Sequence, residues 1–134
     1  MNLFETGEFI LHSGQKTNFK IECDALTDED IETLARLIGQ RYAFGKVFGV
    51  PRGGVRLADA LQPYCKPEHN AYWLIVDDVI TTGTSMEKFR QEIALQPAEL
   101  EEVDDWVAPE FVGVVIFARG ACPYWITPIF QMWG

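Results

Sequence analysis

The chain has 134 residues, of which 48 % are hydrophobic, and carries a formal net charge of −9. That length suits a single domain, 1–134, whose one core is large enough to stand without disulfides or a structural metal. The acidity opposes nucleic-acid binding, which sets Lys and Arg against phosphates, and no apolar run approaches the roughly 18 residues of a membrane span.

Cys23, Cys65 and Cys122 are odd in number, widely spaced and outside any C-x-x-C pair, so neither a disulfide framework nor a zinc site is expected. Glu5 and Glu8 stand where a signal peptide carries its apolar run. A cytoplasmic protein is the expectation. The acidic stretches Thr27 to Glu32 and Glu99 to Asp105 read as a solvated helix start and a solvated loop.

In chain order, Phe9 to Leu11 and Asn18 to Glu22, separated by His12-Ser13-Gly14-Gln15, predict a β-arm with a turn. Thr27 begins a helix as its N-cap, with Asp30 placed to answer in a capping box, and Ile31, Leu34, Ala35, Ile38 and Tyr42 give one apolar stripe to about Ala43. Lys46 to Val50 is a short strand stopped by Pro51 and Gly53-Gly54, and Val55 to Leu61 is a short helix ended by Pro63. The unbroken apolar run Tyr72 to Val76 predicts a central parallel strand buried on both faces. A helix over Ser85 to Leu95, an acidic connection from Pro97 to Glu110 holding Trp106, a strand over Phe111 to Ala118 and a last strand over Tyr124 to Trp133 complete the chain. This alternation is that of a doubly wound α/β fold with a mostly parallel sheet flanked by helices.

The chemistry concentrates where the central strand ends. Asp77-Asp78-Val79-Ile80-Thr81-Thr82-Gly83-Thr84-Ser85 joins that strand to the next helix, the place where open α/β sheets bind ligands. Gly83 lets backbone approach a phosphate closely, the amides of Thr82 to Ser85 converge at a helix N-terminus, and their hydroxyls add donors. The adjacent carboxylates of Asp77 and Asp78 suit vicinal sugar hydroxyls, so the two halves together suit a phosphorylated ribose. A surface Asp-Asp turn followed by a threonine cap is the plain alternative.

An apolar strand, Asp77-Asp78 and then Thr81-Thr82-Gly83-Thr84 resembles the phosphoribosyl pyrophosphate (PRPP) signature of type I phosphoribosyltransferases. Gly7-Glu8-Phe9-Ile10-Leu11-His12-Ser13-Gly14 is similar to the N-terminal arm of orotate phosphoribosyltransferases, and similar small proteins are encoded by bacteriophages. The resemblance implies a single Rossmann-like domain with a small hood built from the N-terminal arm and the C-terminal segment. It implies that Asp77 and Asp78 hold the ribose hydroxyls, with Mg²⁺ held partly through water, and that Thr81, Thr82, Gly83, Thr84 and Ser85 hold the 5′-phosphate. Pro51-Arg52-Gly53-Gly54 looks like the pyrophosphate loop, assisted by Arg56, and Arg119 is similar in place to the arginine that meets the base. His12, Lys16, Trp125, Phe130 and Trp133 are further candidates to border the base. A homodimer is implied as well.

The implied reaction transfers the phosphoribosyl group of PRPP to a nitrogenous base, an orotate-like pyrimidine favoured, and releases pyrophosphate. One departure stands out: the lysine-bearing lid of orotate enzymes has no room between Gly54 and Asp77, where Pro63 to Asn70 reads as a tight connection with Lys66 or His69 as remnants. The alternative is therefore a non-catalytic PRPP or nucleotide sensor of the same fold. A P-loop G-x-x-x-x-G-K-[ST] and the Asp-x-Asp of haloacid-dehalogenase-type phosphatases are both absent from the sequence.

Overall fold

The computed structural model describes residues 1–11, 14–100 and 108–132, without the side chains of 96–100. Two strands open the chain, β1 (Phe4–Ile10) and β2 (Lys16–Ile21), paired antiparallel as a sheet of their own. Their register slips between Thr6 and Phe9, so Thr6 faces Phe19 while Phe9 faces Thr17. This is the arm read from the sequence, begun five residues earlier than the Phe9 start of its apolar pattern.

Helix α1 (Asp28–Arg41) starts where its capping chemistry requires: the Asp30 amide donates to Thr27 Oγ1 at 3.1 Å and the Thr27 amide to Asp30 Oδ2 at 2.8 Å. Ile31, Leu34, Ala35 and Ile38 form its buried stripe. The helix stops at Arg41, slightly short of Ala43, because Tyr42 takes extended backbone.

Strands β3 (Lys46–Gly49), β4 (Tyr72–Ile80), β5 (Glu110–Arg119) and β6 (Ile126–Met132) then form one parallel sheet in the order β3-β4-β5-β6. Helix α2 (Val55–Leu61) joins β3 to β4, and α3 (Thr84–Leu100) joins β4 to β5. Leu74, Val76, Val114 and Ile116 pack with α1 and with Leu57, Ala58 and Leu61 of α2. Ile75 and Val115, their alternates along the strands, pack with Met86 of α3 and with Trp125 and Ile126. Helices α2 and α3 thus lie on opposite faces although the chain steps the same way across the sheet. The two crossovers therefore have opposite hands, one of them the rare left-handed kind.

Two further departures from the sequence reading have local causes. Helix α3 runs to Leu100 and not Leu95, carrying Pro97 and forgoing the hydrogen bond its missing N–H would have made. From Arg119 the chain returns to Ile126 through six residues, 120–125, that bend at Gly120 and turn at 124–125, on the α3 side of the sheet, with no helix between. Gly113 makes room for it: its amide donates to Trp125 O at 2.9 Å, and a Cβ there would meet the Trp125 ring and Ile126 at 2.9 Å. Edge strand β6 tolerates Pro128 because one of its sides needs no donor. Phe4 of the arm and Phe130 of β6 both rest on Phe117. Residue Trp106 of the acidic connection and Trp133 lie outside the described residues.

Candidate functional site

Strand β3 is short and β4 is long, and the site occupies the step between them. The Val50 amide donates to Val76 O at 2.9 Å, after which the chain leaves the sheet in the turn Pro51 to Gly54, closed by the Gly54 amide on Val50 O at 2.8 Å. The Pro51–Arg52 peptide is cis. Strand β4 continues to Ile80, held by β5 through the pairs Asp77 with Val115 and Ile80 with Ala118. Asp77 and Asp78 are therefore strand residues and not the start of a solvent-facing loop.

Asp77 is 8 % exposed and is the one buried charged side chain among the described residues. Its Oδ1 accepts from the Asp78 amide at 2.8 Å, and Asp78 Oδ1 accepts from the Val79 amide at 2.7 Å. The turn at Gly53 closes on the second carboxylate: a Cβ on Gly53 would stand 2.5 Å from Cγ and Oδ1 of Asp78. Arg52 is exposed beside it. Pro51 to Gly54 thus reaches the site through Asp78.

Burial, the hydrogen bond to Asp78 and the charge of Asp78 push the Asp77 carboxyl up from 3.8 to about 8, only partly offset by the Asp78 amide. The pair consequently holds a proton near neutrality. Burial, with the negative charges of Asp78, Asp24 and Asp77, likewise pushes the neighbouring Cys23 thiol up to about 12, which makes it a poor nucleophile. The sign for stability follows from linkage. Between pH 4 and 8 the folded chain binds more protons at Asp77 than the unfolded chain, so stability falls as pH rises through that window. Asp77→Asn is expected to flatten this decline, read as urea midpoints from pH 5 to 9; an unchanged slope would remove Asp77 as its source.

Past Ile80 the chain enters α3 through Thr81 to Gly83. Gly83 has φ +81°, which favours glycine, and a Cβ there would also meet Pro123 Cγ at 2.8 Å. Thr82 and Thr84 hydroxyls lie 2.9 Å apart, and the Glu87 amide donates to Gly83 O at 3.0 Å, starting the helix. The first-turn amides have no intrahelical acceptor and sit at the positive end of the helix dipole. Asp77 to Ser85 line one side of a cleft of about 580 Å³, faced by Phe9, Ile10 and Leu11 of the arm with Lys20 and Ile21, and bordered by Arg119.

Arg119 ends β5 against the arm. Its Nη2 donates to Thr17 Oγ1 at 2.5 Å and to Phe19 O at 3.0 Å, and its guanidinium lies 3.8 Å over the Phe19 ring. Burial lowers its pKa from the ordinary value, and Nε is buried without a partner. No sequence motif singles out Thr17 and Phe19, although alternation with Ile21 places the three on one face of β2.

Other candidates are not brought to the cleft. Arg56 turns to the start of α1, donating to Leu26 O at 2.9 Å and pairing with Asp28 at 3.2 Å. Lys66 and His69 sit at the opposite end of the sheet, where the Lys66 amide donates to Phe44 O at 3.0 Å just before β3. Asp77 lies five residues along β4 from Tyr72, about 16 Å at a strand's rise, so neither is a remnant of a lid. Lys16 lines a separate groove on the arm with Glu8 and Asn18. Trp125 is buried beneath Arg90, 4.7 Å from its ring, and Phe130 stacks on Phe117. His12 lies outside the described residues.

No protein-family model matches the chain, and no curated protein matches it. Solved structures do. Orotate phosphoribosyltransferase from Aeropyrum pernix matches over 88 % of this chain and 76 % of its own, at a TM-score of 0.63 and 21 % identity. The fold is that of the type I phosphoribosyltransferases. UMP synthase of Leishmania donovani matches 96 % of this chain, which spans 33 % of that protein, at a TM-score of 0.66 and 17 % identity. Xanthine-guanine-hypoxanthine phosphoribosyltransferase of Helicobacter pylori matches 78 % of this chain and 80 % of its own, at a TM-score of 0.53 and 15 % identity. At such identities the likeness carries the phosphoribosyltransferase architecture, and function has to be argued from the residues. Among the described residues no helix is long and apolar enough to cross a membrane.

Proposed function

We propose that this chain transfers the 5-phosphoribosyl group of PRPP to a nitrogenous base, an orotate-like pyrimidine before a purine, and releases pyrophosphate. The observation that carries the reading is one cleft in which Asp77 and Asp78 run directly into the Thr81 to Ser85 turn at a helix N-terminus, with the Gly53 turn closed on Asp78. A 5′-phosphate suits the orphan amides and hydroxyls of that turn, and ribose hydroxyls suit the carboxylates just ahead of it.

Two carboxylates are too few to cage a metal, and no cluster of three or more acidic, His or Cys ligands occurs among the described residues. That donor set suits Mg²⁺, which retains waters and leans on substrate oxygens, with Asp77 and Asp78 as its protein side. When bound, the ion supplies charge neutralisation for the pyrophosphate. The protein's own part is to fix the ribose at Asp77 and Asp78, anchor the 5′-phosphate at Thr81 to Ser85, and set Pro51 to Gly54, with Arg52, beside the leaving group. A base nitrogen then forms its bond to C1 while the bond from C1 to the pyrophosphate oxygen breaks. Arg119 is assigned to the base. Cytoplasmic location and a homodimer belong to the same reading.

Arg119→Ala is expected to raise the KM for the base about tenfold or more, the scale of a hydrogen bond to a charged group, and to spare the KM for PRPP. Equal losses for both substrates would exclude the base-reading role. The founding test is mass-spectrometric detection of a nucleoside monophosphate after incubation with PRPP, Mg²⁺ and a mixture of orotate, uracil, adenine, guanine, hypoxanthine and xanthine.

A second reading, a PRPP or nucleotide sensor, draws on one observation: the segment between α2 and β4 is pinned at the far end of the sheet and brings no cation to the cleft. PRPP binding without product from that mixture would favour it.

A further inference from the structure

We propose that Thr17 and Phe19 of the arm are positioning residues that aim Arg119 at the base, so that β2 acts as a specificity element of the cleft. The inference rests on the base-reading role given to Arg119 above.

An arginine at a strand end ordinarily samples many rotamers in solvent. Here three contacts from two residues of β2 fix it: the Thr17 hydroxyl, the Phe19 carbonyl and the Phe19 ring 3.8 Å beneath the guanidinium. The Thr17 hydroxyl is itself held, because the Phe19 amide donates to Oγ1 at 3.4 Å. Nη2 carries two hydrogens and has two acceptors in the arm, which accounts for both of them. Nη1 has no protein acceptor among the described residues, and Arg119 borders the cleft. A planar guanidinium held through both hydrogens of one terminal nitrogen and stacked on one face has its remaining donors fixed in direction, and this is what pre-organisation requires of a reading group.

The arrangement also explains an otherwise costly feature. Partly burying an arginine against the arm loses solvation, and Nε lies buried with no partner. A contact that served only to dock the arm is available to an apolar side chain, as Phe4 demonstrates against Phe117. An acceptor on the ligand, supplied to Nη1, gives the part-buried charge a purpose.

The test follows the Arg119 side-chain N–H resonances by NMR in the presence of pyrophosphate and Mg²⁺, a mixture that cannot turn over, with orotate as the titrant, for wild type, Thr17→Val, Thr17→Ser and Phe19→Leu. Orotate should shift the wild-type signals, Thr17→Val and Phe19→Leu should weaken the apparent affinity for orotate about tenfold, and Thr17→Ser, which keeps the hydroxyl, should restore it. PRPP affinity, measured by calorimetry, should be the same in all four, which also certifies that the variants are folded. Orotate shifts equal in wild type and Thr17→Val would overturn the positioning role and leave the base-reading role standing. No orotate shift in wild type, with PRPP binding intact by calorimetry, would overturn both, and parallel loss of PRPP and orotate affinity would reduce Thr17 and Phe19 to holding the arm in place.

Discussion

Replacing Asp77 and Asp78 together by asparagine is expected to reduce affinity for PRPP with Mg²⁺ by a factor of about a hundred to ten thousand. Each carboxylate makes a charge-assisted contact of about 1.5–3 kcal/mol, and two such contacts give that range. The fold should survive the change. Asp77 already holds a proton near neutrality, so an amide of the same shape is close to its resting state, and the acceptors for the Asp78 and Val79 amides are retained as amide oxygens. Calorimetric titration on protein with an unaltered circular-dichroism spectrum checks it, and affinity within threefold of wild type would end the assignment of the pair to the ligand.

Gly53→Ala is the second large effect and tests the close approach of the neighbouring turn to Asp78. A methyl group there must stand 2.5 Å from the Asp78 carboxyl carbon, so either the carboxylate or the turn has to move by roughly an ångström. Displacements of that size at a reacting centre cost about a hundredfold in rate, and a comparable loss in kcat/KM is expected here. If neither the turn nor the position of the Asp78 carboxylate matters to the ligand, the same substitution lowers stability and leaves PRPP affinity alone.

Much of this was legible in the residues. The capping box at Thr27, the apolar stripe of α1 and the four parallel strands follow from local patterns strong enough to survive tertiary context. The Asp77 to Ser85 segment stands out in the sequence because adjacent carboxylates seldom run straight into a Thr-Gly-Thr turn at the end of an apolar strand. What the sequence concealed is pairing. That Asp77 and Asp78 lie inside a strand depends on how far β5 runs beside them, and strand length is decided by the partner. That Lys66 and His69 are remote from the cleft depends on which end of a parallel sheet a connection occupies. Local spacing does not encode that choice. Arg119 illustrates the same limit from the other side: its place at a strand end was readable, but its partners lie a hundred residues earlier in the chain.

The pinning of the α2–β4 connection at the floor of the sheet bears on water as a competing nucleophile. Closure of an active site guards reactive donors against hydrolysis, and here the connection from Gln62 to Ala71 lies at the opposite end of the sheet from the cleft. A phosphoribosyl donor held in this open site exposes C1 to solvent for as long as it stays bound. The protein should then release ribose 5-phosphate and pyrophosphate slowly when no base is supplied, and whichever acceptor suppresses that leak most strongly is the one its cleft is shaped to receive.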